Sequence, residues 1–128
     1  MKLLLDTHTL IWATSSPKLL STSAASLILD RANEILISAA SAWEIATKVR
    51  LGKLPEALRL EPNFSHSLDR AGYTPLPISV ADALRGGRLP GPHRDPFDRI
   101  LAAQALTLDI PILSLDPQLD AFGIHRIW

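Results

Sequence analysis

Three short apolar runs, KLLLD (2–6), EILIS (34–38) and IPILSL (110–115), are separated by longer stretches whose apolar residues recur at helical spacing. Each run is continuous instead of alternating, as expected of a strand buried on both faces. Strands separated by helices imply a parallel sheet with helices on both sides, because a parallel neighbour is reached only through a crossover. Two further strands are expected, in YTPLPIS (73–79) and GIHRIW (123–128). The prolines of the former limit it to an edge. Helices are expected over THTLIWAT (7–14), from Ser23 to about Arg31, from Ser41 to a stop at Gly52, over 62–71, over the short span 80–85, and from Pro96 to Leu108. Ala42, Ile45, Ala46 and Val49 should face inward on the third of these. Phe97, Ile100, Leu101, Ala105 and Leu108 should do so on the last. No repeat or low-complexity segment divides the chain, so residues 1–128 are read as one α/β domain.

Composition narrows the function classes. Hydrophobic residues make up 47 % of the chain and charged ones 20 %, which excludes disorder. No apolar run approaches the roughly 18 residues needed to span a bilayer. The start, MKLLLDTHTLIW, is a poor secretory signal, and there is no cysteine for disulfides or thiolate metal sites. A cytoplasmic protein is expected. The 13 basic and 13 acidic residues cancel, so bulk charge gives no support for a polyanion-coating role. The distribution is less even: Arg85, Arg88, Arg94 and Arg99 fall within fifteen residues, around the Gly/Pro-rich GGRLPGPHR. A loop carrying arginines can grip phosphates by bidentate hydrogen bonds, or simply be solvated.

Four acids stand at equivalent places in the pattern. Asp6 ends the first strand, Glu44 and Asp98 lie in first helical turns, and Asp116 follows IPILSL. In an open parallel sheet, strand C-termini and helix N-termini share one edge, and ligands bind in the crevice there. Each acid also has a purely structural explanation. Ser41-Ala42-Trp43-Glu44 has the form of a capping box, and Glu44 can pair with Lys48 four residues on. Asp6 can cap the first helix. In HRDPFDRI (93–100), Asp95 fits the N-cap, Pro96 the first helical position and Asp98 the third. Asp116-Pro117 repeats that pattern. As a set, however, four carboxylates at one crevice repel one another, and a hard divalent cation relieves that. Mg²⁺ is typically held by one or two carboxylates, waters and a substrate phosphate, and Mn²⁺ suits the same ligands.

With these residues in place, the chain resembles the PIN-domain ribonucleases, most closely the VapC-type toxins of bacterial toxin–antitoxin pairs. LLLDTHTLIW, ISAASAWEIATKVRLGKL, DPFDRILAAQAL and ILSLD carry the resemblance, occur in the family's order and cover most of the chain. The resemblance implies a three-layer α/β/α fold with a parallel sheet of about five strands. It identifies Asp6, Glu44, Asp98 and Asp116 as the catalytic and metal-binding acids, with Asp120 a nearby alternative to Asp116. It implies Mg²⁺-dependent endonucleolytic cleavage of RNA, leaving a 5′-phosphate and a 3′-hydroxyl. It also implies a homodimer neutralised by a VapB-type antitoxin, with DNA engaged only through that antitoxin. Thr7, Ser38 and Ser114 lie near the acids and can position a ligand or water. His8, His66, His93 and His125 are too scattered for a metal triad. Two other readings compete. A PIN-like protein without catalysis would act only by binding. A phosphoacceptor receiver domain would need an acceptor Asp after the third strand and a late lysine; here that strand ends PLPISV, and no lysine follows Lys53.

Overall fold

The computed structural model describes residues 1–128. Five parallel strands form one sheet: β1 (Lys2–Leu5), β2 (Glu34–Ser38), β3 (Thr74–Leu76), β4 (Ile112–Leu113) and β5 (Arg126–Ile127), in the order β3-β2-β1-β4-β5. Six α-helices cover it: α1 (Thr7–Ser15), α2 (Thr22–Leu29), α3 (Ala39–Arg50), α4 (Phe64–Ala71), α5 (Val80–Arg88) and α6 (Pro96–Leu108). A 3₁₀ segment, Pro117–Phe122, links β4 to β5.

The unbroken apolar runs are explained by two cores, one on each face. Leu3 and Leu5 of β1 join Ile35, Ile37, Leu113, Leu10, Ile11 and Ile45 on one side. Leu4 joins Leu36, Ile112, Leu101, Ala102, Ala105, Leu119 and Phe122 on the other. Alternate residues of one strand therefore feed different cores, as the period of two requires. The pairing Leu3↔Ile35, Leu4↔Leu36 and Leu5↔Ile37 keeps like faces together. All three leucines of β1 are fully buried.

Several element boundaries differ from the sequence expectation. Ser21, not Ser23, caps α2, and its hydroxyl accepts from the Ala24 N–H. Only Ile112–Leu113 of IPILSL and Arg126–Ile127 of GIHRIW join the sheet ladder. Residues 61–63 form a 3₁₀ turn, and α4 proper begins at Phe64. The helix α3 begins at Ala39, capped by Ser38, so Ser41 is a buried helical residue and opens no capping box. Its inward face is Ala40, Ser41, Glu44 and Ile45, whereas Ala46 is exposed. Leu108, expected inside, is also exposed at the end of α6. Lastly, α5 runs on through Gly86-Gly87 to Arg88. Its start carries a capping box between Ser79 and Asp82, and Gly86 sits in the α5–α6 seam, where a Cβ would lie 3.2 Å from Ile100 Cδ1 and 3.3 Å from the Arg99 carbonyl oxygen, whereas Gly87 faces solvent. Tight packing holds there a helix that glycine's propensity disfavours.

Candidate active site

The strand order reverses between β1 and β4, at the C-terminal edge of the sheet, and a cleft of about 450 Å³ opens there. It is lined by Asp6, Glu44, Asp95, Asp98, Asp116 and Lys48, with Thr7, His8, Trp12, Leu115 and Pro117. The four acids anticipated from the sequence thus come together in one place. Asp120 does not join them. It is exposed and forms a bidentate ion pair with Arg126, at 2.8 and 3.1 Å. That pair holds the Asp120 carboxyl below its ordinary range.

Each acid is fixed by the element that carries it. Asp6 caps α1: Oδ1 accepts from the Thr9 N–H at 2.8 Å, and the Ser114 hydroxyl donates to Oδ2. Only 8 % of Asp6 is exposed, and burial pushes its pKa up against those hydrogen bonds. Glu44 lies in the second turn of α3, not the first, and points inward. The Thr7 hydroxyl donates to its Oε1 at 2.6 Å, across 37 residues, and Lys48 pairs with Oε2. Thr7 has one hydroxyl proton, so Ser41, 3.0 Å away, serves as donor to Thr7. The Lys48 pKa is raised: burial acts to lower it, but the bond to Glu44 prevails.

Asp95 and Asp98 divide their tasks as HRDPFDRI implies. Asp95 Oδ1 accepts from the N–H groups of Phe97 and Asp98, at 2.9 and 3.1 Å, with Pro96 at the first helical position. Asp98, one turn in, has its Oδ2 paired with His93 Nε2 at 2.8 Å. Its pKa is pushed up to about 6, chiefly by burial and further by the charges of Asp95 and Glu44, with His93 opposing. Asp116 caps the 3₁₀ segment by accepting from the Gln118 N–H at 2.9 Å, and its own N–H donates to Ser114 Oγ. Ser114 therefore bridges two of the acids. Ser38, the third hydroxyl considered, only caps α3.

The arginines separate. Arg88 and Arg94 are exposed. Arg85 donates to the Thr107 hydroxyl at 3.0 Å, at the far end of α6 from Asp98. Arg99 turns into the fold: Nε donates to the Gly86 carbonyl at 2.9 Å, one terminal nitrogen to the His93 carbonyl at 2.7 Å, and the other to the Leu89 carbonyl. Its guanidinium also lies over the Phe122 ring, 5.5 Å from the centroid. The pairing of His93 with Asp98 was not legible in the sequence, where His93 stood among the arginines of an apparent loop. The one signal was its position, two residues before the cap. Trp12 and His8 also line the cleft, their rings 5.8 Å apart.

Chemically, the cleft presents five carboxylates against one lysine, in partly desolvated surroundings. No three Asp, Glu, Cys or His side chains stand grouped closely enough to hold an ion among themselves. The donor set is hard oxygen in excess of its counter-charge, open on the cleft side. That fits a cation of the Mg²⁺ type, which retains waters and completes its shell with substrate.

The comparisons with known proteins agree with this architecture. The family model of the PIN domain matches residues 3–124. Ribonuclease VapC16 of Mycobacterium tuberculosis is 48 % identical over 58 residues, which are 43 % of this chain and 39 % of that protein. The chain thus matches well under half the length of this curated relative. Among solved structures, the VapBC2 complex of Rickettsia felis bound to a promoter DNA fragment superposes with a TM-score of 0.70 at 15 % identity, covering 100 % of this chain and 99 % of the other. The FitAcB structure from Neisseria gonorrhoeae gives 0.61 at 18 % identity, covering 98 % and 96 %.

Proposed function

Because this chain belongs to the PIN domain family, we propose that it is a metal-dependent endoribonuclease and the toxin of a toxin–antitoxin pair. The observation that carries the reading is the cleft itself: Asp6, Glu44, Asp98 and Asp116 converge from four separate elements on one pocket, with Lys48 as its only lysine. The similarity to ribonuclease VapC16, partial in length, supports the substrate class, RNA. The structural neighbour VapBC2, solved bound to a promoter DNA fragment, supports a VapB-type antitoxin as partner, and contact with DNA only through that antitoxin is part of the proposal. A homodimer in the cytoplasm completes the proposal. No helix is long and apolar enough to cross a membrane.

Asp6, Glu44, Asp98 and Asp116 would hold Mg²⁺ or Mn²⁺. When bound there, the ion would supply a water of lowered pKa as nucleophile for the phosphodiester and positive charge to offset the negative charge developing on its oxygens. The residues of the chain do the rest. Asp6 and Glu44 are held by neighbours that leave them little rotamer freedom, which keeps the ligand set preorganised. Lys48, anchored on Glu44, has further N–H donors for a phosphate oxygen at the cleft mouth. Of the four clustered arginines, Arg88 and Arg94 are free to contact the RNA backbone, whereas Arg85 and Arg99 already have partners within the fold. Cleavage leaves a 5′-phosphate and a 3′-hydroxyl, with no covalent intermediate on the protein. The test is RNA cleavage by antitoxin-free protein in Mg²⁺, Mn²⁺ or EDTA. Activity in both metals and none in EDTA is expected. Undiminished cleavage in EDTA would overturn the metal dependence, and no cleavage of any RNA in either metal would overturn the nuclease assignment.

A further inference from the structure

We infer that Arg99 and His93 form a positioning relay that sets the orientation of Asp98 in the cleft: Arg99 fastens the 89–94 loop to α6, and the loop holds His93 against Asp98. The inference rests on the reading of Asp98 as a metal ligand and adds two residues to that site. The Arg99 side chain spends all three kinds of guanidinium nitrogen on backbone carbonyls, those of Gly86, Leu89 and His93. The first belongs to the last turn of α5 and the other two bracket the segment LPGPH. Leu89 packs against the core and closes α5, but Pro90, Gly91 and Pro92 make no hydrogen bond of their own. The segment contains two prolines without N–H groups and Gly91 at φ 110°, and both Pro90 and Gly91 are exposed. Three donors in one rigid fork on three carbonyls constrain it as no monodentate cation can. The carbonyl of His93 is one of the three, so the backbone of the very residue that reaches Asp98 is pinned by the residue following Asp98.

From there His93 reaches Asp98 Oδ2 at 2.8 Å, its ring held also against Phe122, 5.7 Å between centroids. Phe122 lies under the Arg99 guanidinium as well. One aromatic ring thus supports both members of the relay. With Oδ2 engaged by His93, Oδ1 has no hydrogen-bond partner in the protein, and Asp98 lines the cleft. Loss of a group that orients a metal-binding carboxylate typically weakens metal affinity by about 10- to 100-fold, and that is the expected magnitude here.

The experiment is titration of the purified chain with Mn²⁺ alone, followed by the electron paramagnetic resonance signal of the free ion, which reads binding without RNA or turnover. His93→Ala should weaken Mn²⁺ binding about 10- to 100-fold. His93→Gln, which keeps an N–H donor at similar reach, should recover much of that loss. Arg99→Lys, which retains charge but not the fork, should weaken binding comparably. The double variant His93→Ala/Arg99→Lys should bind no more weakly than His93→Ala, because Arg99 acts through His93. Wild-type binding by His93→Ala, absence of rescue by His93→Gln, or losses that multiply in the double variant would each overturn the relay. The two His93 variants leave Arg99 in place, so they still decide the matter if Arg99→Lys does not fold. Asp98→Asn separates the two levels. If it binds Mn²⁺ as the wild type does, the ligand assignment fails; if it loses binding while His93→Ala does not, the relay alone fails.

Discussion

At the scale of the residue, adjacent acids of one motif carry opposite expectations. Asp98 is half-buried near Asp95 and Glu44, and its pKa lies at about 6. Between the ordinary carboxyl value of 3.8 and about 6, the folded chain holds a proton that the unfolded chain has released. This group therefore opposes folding above pH 6 in the absence of metal, and that opposition is relieved as pH falls through 6. The raised Asp6 acts in the same direction. Metal-free Tm should rise between pH 7 and pH 5, and the rise should shrink in Asp98→Asn, as thermal melts across that range would show. At neutral pH, Asp98→Asn should be as stable as the wild type or more so without metal, yet lose most of the Tm gain from Mg²⁺ and nearly all cleavage. Asp95→Asn should be nearly neutral in the same melts and cleavage assays, because asparagine caps a helix about as well as aspartate. An active Asp98→Asn protein, or an inactive and well-folded Asp95→Asn protein, would reverse the two assignments.

At the scale of the element, the seam between α5 and α6 decides what neighbouring glycines tolerate. A Cβ on Gly86 would meet Ile100 Cδ1 at 3.2 Å and the Arg99 carbonyl oxygen at 3.3 Å, whereas one on Gly87 would meet nothing within 4 Å. Ile100 can adjust, but the Arg99 backbone lies within α6 and is tied by its own side chain to the Gly86 carbonyl. Gly87→Ala should stabilise the chain by about 0.5–1 kcal/mol, through helix propensity alone. Gly86→Ala has the same propensity gain but an overpacking penalty of about 1–3 kcal/mol, and a net loss on the order of 1 kcal/mol is expected. Urea denaturation of the two variants, with unchanged m-values, measures both. Stabilisation by Gly86→Ala would show that the helices can part without loss.

At the scale of the whole molecule, the zero net charge makes recognition of a polyanion depend on local placement. The cleft is acidic, so on the proposed reading an RNA backbone has to be held by basic residues outside it. Arg88 precedes the 89–94 loop that Arg99 fastens and Arg94 ends it, and both are exposed. Replacing either with alanine should weaken RNA binding across sequences and reduce the slope of log affinity against log salt by about 1. Arg85→Ala should leave that slope unchanged, since Arg85 bonds Thr107 at the opposite end of α6. Binding titrations at several salt concentrations distinguish these outcomes. Equal slopes for all three variants and the wild type would mean that the exposed arginines are merely solvated.

Local chemistry was enough to determine the layers and the identity of the converging acids. Unbroken runs such as KLLLD specify a doubly buried strand, and parallel topology brings strand ends and helix starts to one edge, so Asp6, Asp98 and Asp116 were legible there. The Asp95-Pro96 and Asp116-Pro117 caps were legible too, since a cap depends on only three or four consecutive residues. Apart from the α2 cap, which is Ser21 and not Ser23, what failed depends on a partner distant in sequence. Ser41 has the spacing of a cap, but Ser38 ends β2 closer to the helix, so α3 starts earlier and turns Ser41 and Glu44 inward toward Thr7. The glycine pair reads as a loop until α6 lies against it. Asp120 stands close enough in sequence to be an alternative to Asp116, and the return of β5 removes it by giving Asp120 the Arg126 side chain, while Asp116 lines the cleft. Arg99 reads as a phosphate contact because its donors are unassigned in the sequence. The tertiary structure supplies three backbone carbonyls, the chain bends that bring Gly86, Leu89 and His93 around one guanidinium, and with them a different role.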